Sequence, residues 1–390
     1  MQHTEVALVS CTSYDPVLLD AALQQAAEIA GFPDVRNRKV LIKPNVLNAS
    51  PSAKAVTTHP AFVASVIRLL RARGCTEILV GDSPGWQPGQ LAARASGIFQ
   101  AVEAEGARWV DFKEVTSHAV SQGKVLRNIP LTSWLDEVDL VVNLPKLKTH
   151  RLMTYTGAMK NLFGLIPGTA KSAMHMQYPL ARDFGEVLVD LALSIQPSFT
   201  FMDAIVAMQG EGPGNGTPYA LGVILASRSM PDLDWVAARC IGYDPARIHY
   251  LADAMERVHH GISGYEPSTA PLSPGEVRHE GFQLLPYESD LSRRLGGMPS
   301  RIRQTVLKVL QRRPVFRTAR CIGCQACIRI CPAKVLSLDT HMGRNTVRID
   351  DSHCITCFCC HEVCPANAIE IGRVLTRIWH RPQSKISSKT

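Results

Sequence analysis

The sequence predicts an α/β domain, a mostly parallel sheet with helices on both faces, followed by a small α+β domain rich in cysteine. Three observations predict this. Short apolar runs alternate with helix-length amphipathic runs up to about residue 275, the pattern of strands covered on both faces by helices. Nine of the twelve cysteines lie beyond residue 320. The charge also changes sign: from residue 291 onward eighteen Lys and Arg stand against five Asp and Glu, and before it 24 stand against 29.

The elements follow in order. Glu5-Val-Ala-Leu-Val-Ser reads as the first strand. Asp15 caps a helix with Pro16 in its first turn, running to about Ala30, with Gly31 as the stop. Lys39-Val-Leu-Ile is the second strand, and a helix over 60–73 follows, with Thr58 as its cap and Gly74 beyond its end. Glu77-Ile-Leu-Val-Gly-Asp and Asp139-Leu-Val-Val-Asn-Leu are the third and fourth strands. A long amphipathic helix is expected over 178–195, and further strands over 199–203 and 221–227. The glycine-rich stretch from Gly210 to Gly216 reads as a turn or as an amide cradle for an anion. No G-x-G-x-x-G follows a strand, and there is no P-loop.

In open α/β sheets, ligands bind beyond the carboxyl ends of the strands. Polar residues gather there. Lys43 and Asn45 follow the second strand, Asp82 the third, Lys146, Lys148 and His150 the fourth, and Asp203 ends the fifth. In an extended chain Lys146, Lys148 and His150 project to one side. Such a cationic wall suits a carboxylate or phosphate, or lowers a lysine pKa for acid–base work. These three are the candidate catalytic residues. Lys43, Asn45, His59, Asp82, Lys160 and Asn161 are the candidate substrate-binding residues. Asp82 and Asp203 can hold a divalent cation or cap loop amides, which leaves room for a further cofactor or metal in this domain. The bland alternatives are solvated loop lysines and a structural histidine.

The cysteines form two copies of one pattern, Cys321, Cys324, Cys327, Cys331, Pro332 and Cys354, Cys357, Cys360, Cys364, Pro365. Each reads C-x2-C-x2-C-x3-C-P, the spacing that wraps a 4Fe–4S cubane. Structural zinc usually takes two separated pairs, so it fits poorly. The C-x-x-C-H at Cys357, Cys360 and His361 is no haem site, because both cysteines already belong to the repeat. Cys359 is an extra thiol within the second loop, either spare or a competing ligand. Over about 315–375 the sequence resembles the bacterial two-cluster ferredoxin domain. That resemblance implies two 4Fe–4S clusters with crossed fourth ligands. One set is Cys321, Cys324, Cys327 and Cys364; the other is Cys331, Cys354, Cys357 and Cys360.

A second resemblance covers roughly 38–245. Lys43-Pro-Asn, Thr58-His-Pro, Gly81-Asp-Ser, Pro145-Lys-Leu-Lys-Thr-His and Gly157-Ala-Met-Lys-Asn-Leu-Phe-Gly resemble, in order, the blocks of the "domain of unknown function 362" family. Its members are often fused to ferredoxin domains. The resemblance implies an architecture and candidate positions and little chemistry.

The expected domains are 1–280 (α/β), 281–314 (basic linker with an amphipathic helix), 315–375 (two-cluster ferredoxin) and 376–390 (basic flexible tail). The stretch 293–320 carries nine basic residues and no acidic one, with Ile302, Val306, Val309 and Leu310 at helical spacing. Its charge suits an acidic electron carrier of ferredoxin or flavodoxin type. Peripheral contact with a membrane surface is the alternative, as is a solvated linker helix. Nucleic acid is disfavoured, because no aromatics interleave with the basic residues. No apolar run approaches the ~20 residues of a spanning helix, and no secretory signal opens the sequence. A reducing, cytoplasmic location is expected. The function these features point to is electron transfer through two clusters, in a reductase acting on an anionic small molecule. The alternative is a non-enzymatic carrier or assembly adaptor whose N-terminal domain is a docking module.

Overall fold

The computed structural model describes residues 5–85, 87–168, 170–262, 264–287, 312–341 and 344–372. The chain divides into two compact units, Met1–Glu288 and Ser289–Thr390. Among the described residues no helix is long and apolar enough to cross a membrane.

The larger unit is built on a ten-stranded sheet. Its strands are β1 (Glu5–Ser10), β2 (Lys39–Pro44), β3 (Glu77–Val80), β4 (Arg108–Trp109), β7 (Leu140–Leu144), β8 (Lys146–His150), β9 (Thr154–Thr156), β10 (Phe199–Gln209), β11 (Thr217–Ser227) and β12 (Ser268–Pro271). β5 (Val115–Ala119) and β6 (Asn128–Thr132) form a separate antiparallel ribbon. The main order is β12-β1-β11-β10-β7-β2-β3-β4, with β8 beside β10 and β9 beside β8. β12–β1, β10–β7, β10–β8, β7–β2, β2–β3 and β3–β4 are parallel pairs, while β11 and β9 run against their neighbours. The sheet is therefore mostly parallel.

Side chains alternate between its faces. Ala7, Val9, Val40, Ile42, Phe199 and Phe201 pack under α1 (Pro16–Ile29), α2 (Pro60–Ala72), α3 (Gly89–Ser96) and α4 (Ile98–Ala104). Val6, Leu8, Leu41, Met202, Ala204 and Leu225 pack under α7 (Ala181–Ile195), α8 (Met230–Cys240) and α9 (His249–Val258). Two shorter helices, α5 (Ala158–Asn161) and α6 (Ala170–Gln177), lie on the connection from β9 to α7. Helices thus cover both faces, as expected from the apolar strands.

Local signals set several boundaries. The Asp15 carboxylate accepts from the Val17 and Leu18 amides and so starts α1. The cap of α2 is His59, whose Nδ1 accepts from the Ala61 amide. The expected cap, Thr58, instead donates to the Leu144 carbonyl at 2.7 Å and accepts from the Asn45 amide at 2.9 Å, joining β2 to β7. α7 starts at Ala181 rather than 178, since Tyr178 precedes Pro179, whose ring disfavours helical backbone before it. β10 and β11 are longer than expected, eleven residues each where five and seven were expected. They form a long hairpin, and the Gly210–Gly216 stretch is its turn.

The smaller unit repeats itself. The helix Ala326–Ile330 in the first half corresponds to Cys359–Glu362 in the second. Left-handed backbone recurs at the same offset: Gly323 with Thr356, Gln325 with Phe358, and Lys334 with Asn367. Strand Arg313–Phe316 pairs antiparallel with Ile369–Gly372, and Leu336–His341 with Arg344–Ile349. The first pair brackets both cysteine loops and the second is a hairpin between them, in an α+β arrangement of ferredoxin type. Of the basic stretch 293–320, residues 293–311 lie outside the described residues, as does the tail at 376–390. The part that is described begins as a strand, because Arg313–Phe316 completes a sheet.

Candidate functional site

Two buried ion pairs stand beyond the strand ends of the larger unit. In the first, Lys43 is fully buried at the end of β2. Its Nζ lies 2.7 Å from Asp82 Oδ1 and donates to Pro44 O at 2.9 Å and Asn161 Oδ1 at 3.3 Å. Asn161 Nδ2 donates in turn to Lys43 O and to Asn143 Oδ1. Asp82 also accepts from the Val46 and Ser83 amides. Burial lowers the Lys43 pKa and Asp82 opposes it, the expected balance for a desolvated ammonium beside a carboxylate.

In the second pair, Lys146 Nζ lies 2.8 Å from Asp203 Oδ2. The register of β8 on β10 sets this contact, since Lys146 and Asp203 are directly partnered. Tyr14 bridges the two, donating to Asp203 Oδ1 at 2.8 Å and accepting from Lys146 at 2.9 Å. The His59 amide donates to Asp203 Oδ2 at 2.9 Å, and the His59 ring stacks on Tyr14 at 3.7 Å. Burial pushes the His59 pKa down, with Asp203 opposing.

The other predicted residues have internal partners as well. Lys148 donates to Asn45 Oδ1 at 2.7 Å and to Val56 O at 2.9 Å. His150 Nδ1 accepts from the Leu152 and Met153 amides, closing the turn after β8. Lys146, Lys148 and His150 are therefore buried in the protein, not ranged along an open surface. Asp82 and Asp203 each hold a lysine. Among the described residues no three His, Cys, Asp or Glu side chains converge as a single-ion site. Lys160 is half-buried, and its charge acts on Lys43, Lys171 and His175.

Three site residues escape the sequence pattern. Tyr14 lies 189 positions from Asp203, and no local signal announces it. Lys171, on α6, is buried and donates to the Ser83 carbonyl. Asp234 is fully buried and accepts from Tyr155 and from the Ala158 and Met159 amides. The glycines of Gly157-Ala-Met-Lys-Asn-Leu-Phe-Gly lie against these carboxylates. A Cβ at Gly157 would overlap Asp234 and Tyr155, and one at Gly164 would overlap Asp82 and Lys43.

In the smaller unit the cysteines fall into two neighbourhoods. The Cys327 thiol is pushed up to about 11, by burial first and then by the neighbouring Cys364, Cys324 and Cys321. Cys360 is raised by burial and by Cys357, Cys354, Cys327 and Cys331. Cys331, Cys354, Cys357 and Cys360 line one cavity. The left-handed residues between the cysteines turn the backbone into loops of the kind that present amides to anionic clusters, and the Ala368 amide reaches Cys364 Sγ at 3.2 Å. This donor set fits 4Fe–4S clusters. Cys359 is buried and hydrogen-bonds Cys357. His361 Nδ1 lies 2.7 Å from the Ile369 carbonyl, a contact that ties the second loop to the last strand.

A family model for the domain of unknown function DUF362 matches residues 40–239, just over half of the chain. The chain belongs to this family. The DUF362 match takes in every member of both ion pairs, with Tyr14 alone of the second network outside it. A 4Fe–4S dicluster domain matches residues 320–368, which hold all nine clustered cysteines. The smaller unit is thus a 4Fe–4S dicluster domain, and this DUF362 chain is an iron–sulfur electron-transfer protein. A thylakoid-associated protein of Synechocystis is 33% identical over 273 residues, covering 69% of this chain and 82% of that protein. Among solved structures, the lactate racemase apoprotein of Thermoanaerobacterium thermosaccharolyticum matches at 12% identity and a TM-score of 0.38, covering 58% of this chain. A structural-genomics protein of Thermotoga maritima matches at 15% and 0.34, covering 53%. The DUF362 chain spans about half the length of each, 54%.

Proposed function

We propose that this chain is a ferredoxin-coupled oxidoreductase that reduces an anionic small molecule held beyond the strand ends of its larger unit. One observation carries the reading: a dicluster domain shares a chain with a domain whose strand ends hold buried lysines in carboxylate networks. Cys321, Cys324, Cys327 and Cys364 would hold one cluster, and Cys331, Cys354, Cys357 and Cys360 the other. The clusters would supply electrons singly. Lys43, Lys160, Asn45 and Asn161 would bind and orient the anion. The Lys146–Asp203–Tyr14 network, with His59 and Lys148 beside it, would hold the proton delivered to the reduced product. The strongly basic composition beyond residue 291 suits an acidic carrier as electron donor, in a reducing, cytoplasmic setting.

The internal partners of Lys43, Lys146 and Lys148 favour a second reading, a carrier or adaptor whose larger unit only docks. The two separate in one experiment. Anaerobically reduced full-length protein is mixed with small carboxylates and phosphate esters, and cluster reoxidation is followed by visible absorbance. Reoxidation by one such compound, lost in Lys146→Met, supports the reductase. Reoxidation only by carrier proteins supports the adaptor.

A further inference from the structure

The two halves of the dicluster unit differ in what they show to solvent. Ile322 follows the first cysteine of the first loop, and Ile355 stands at the same place 33 residues on. Ile322 is 68% exposed. Ile355 is half-buried and lines the cavity walled by Cys354, Cys357 and Cys360. The next cysteine repeats the contrast, since Cys324 is exposed and Cys357 is buried. So does the residue after it, exposed Gln325 against buried Phe358. The charges differ as well. Where the first half has Arg317, Arg320 and Arg329, the second has Asp350, His353 and Glu362. Arg329 is exposed and fixed at the loop, its Nη2 donating to the Cys324 carbonyl at 2.8 Å. Arg317 and Arg320 share one carboxylate, Glu370. The first loop is thus an exposed apolar tip among arginines. The second is more buried, with acidic residues at two of the three matching places.

We propose that the first cysteine loop is the docking face for an acidic one-electron carrier protein, with Ile322 in the contact and Arg320 and Arg329 at its rim. Electrons then enter at the cluster of Cys321, Cys324, Cys327 and Cys364. The carrier loses one electron, the first cluster gains it, and transfer to the second cluster restores the first. An apolar centre with arginine beside it is the composition of protein docking faces. Sulfides and thiolates make a bound cubane anionic, so an acidic carrier needs cations at the loop it approaches, and opposite charge steers that encounter. This inference rests on the acidic donor named above and adds where it binds.

The test uses the full-length, cluster-loaded chain and an acidic flavodoxin. With both proteins oxidised, calorimetry should show Ile322→Glu binding at least about tenfold more weakly than the parent. Arg329→Glu should bind about three- to tenfold more weakly at low salt, a difference that shrinks as salt rises. Leu338→Glu places the same charge at another exposed residue of this unit and should bind within about twofold of the parent. In stopped flow, flavodoxin hydroquinone should bleach the parent rapidly. It should bleach Cys364→Ala, which keeps only the second cluster, at least about tenfold more slowly, while Cys331→Ala keeps the parental rate. Dithionite, which needs no docking face, should bleach both variants. Equal binding by Ile322→Glu and the parent overturns the proposal, as does an undiminished rate in Cys364→Ala. Either result obtained while flavodoxin still reduces the parent keeps the acidic donor and moves it off this loop. Flavodoxin that neither binds nor reduces the parent removes donor and docking face together. Sedimentation in which Ile322→Glu splits a parental dimer gives the loop to a second copy and overturns the proposal too. None of these results involves an anionic substrate, so the reductase reading stands or falls separately.

Discussion

Gly164 runs directly against Asp82, leaving no room between its backbone and the Lys43–Asp82 pair. A methyl group there would push into a buried ion pair of the site. Gly164→Ala should therefore destabilise the larger unit by about 1–3 kcal/mol for overpacking alone, and more if the pair separates. Gly275→Ala, where a Cβ meets nothing within 4 Å, should change stability by less than about 0.5 kcal/mol. Urea unfolding of both variants, followed by circular dichroism, checks the contrast.

Lys146 and Asp203 are each nearly sealed from solvent. Removing one partner leaves the other charged and buried, so Lys146→Met should lose about 3–5 kcal/mol. Adding Asp203→Asn should restore part of that loss. A double-mutant cycle in urea measures the coupling, and an additive pair would show that the charges do not depend on each other.

Lys171 gives a pH dependence with a definite sign. Its folded pKa is about 7, below the 10.5 of an unhindered lysine. Between these values the unfolded chain binds the extra proton, so stability rises with pH across that window by up to about 1.4 kcal/mol per unit. The contribution is complete above 10.5 and is lost as pH falls through about 7. Lys171→Met should flatten this slope relative to the parent. Denaturation midpoints at matched pH values read the difference, and parallel slopes would place the lysine in water.

Crossed cysteine sets would give opposite protection patterns. Cys364→Ala should lower iron from about eight to about four atoms per chain. It should expose Cys321, Cys324 and Cys327 to alkylation while Cys354, Cys357 and Cys360 stay protected. Cys331→Ala should do the converse. Exposure of the same loop that carries the mutation would show that each half holds its own cluster.

Features written in short segments were legible in the sequence. The cap at Asp15, the stop at Gly31 and the 33-residue cysteine repeat all depend on neighbours in the chain, and the structure bears out the α/β class. Features set by distant partners were not. β10 runs on to Gln209 because β11 pairs with it throughout, and no single strand carries that information. The side-by-side reading of Lys146, Lys148 and His150 follows strand geometry, but Asp203 and Asn45, the partners of the two lysines, come from other elements. Lys171 sits in a short helix with polar neighbours, and only the approach of β2 and α5 makes it part of a site.

The pairing of Arg313–Phe316 with Ile369–Gly372 also orders events during synthesis. The strand made first in the smaller unit waits for the strand made last, and everything that bears cysteine lies between them. While the ribosome is still adding residues, those loops have no closed frame around them. Iron and sulfide delivered then would meet a slack hairpin of thiols, open to oxidation and to wrong pairings. A chain cut before residue 369 therefore lacks one side of the strand pair that brackets both cysteine loops.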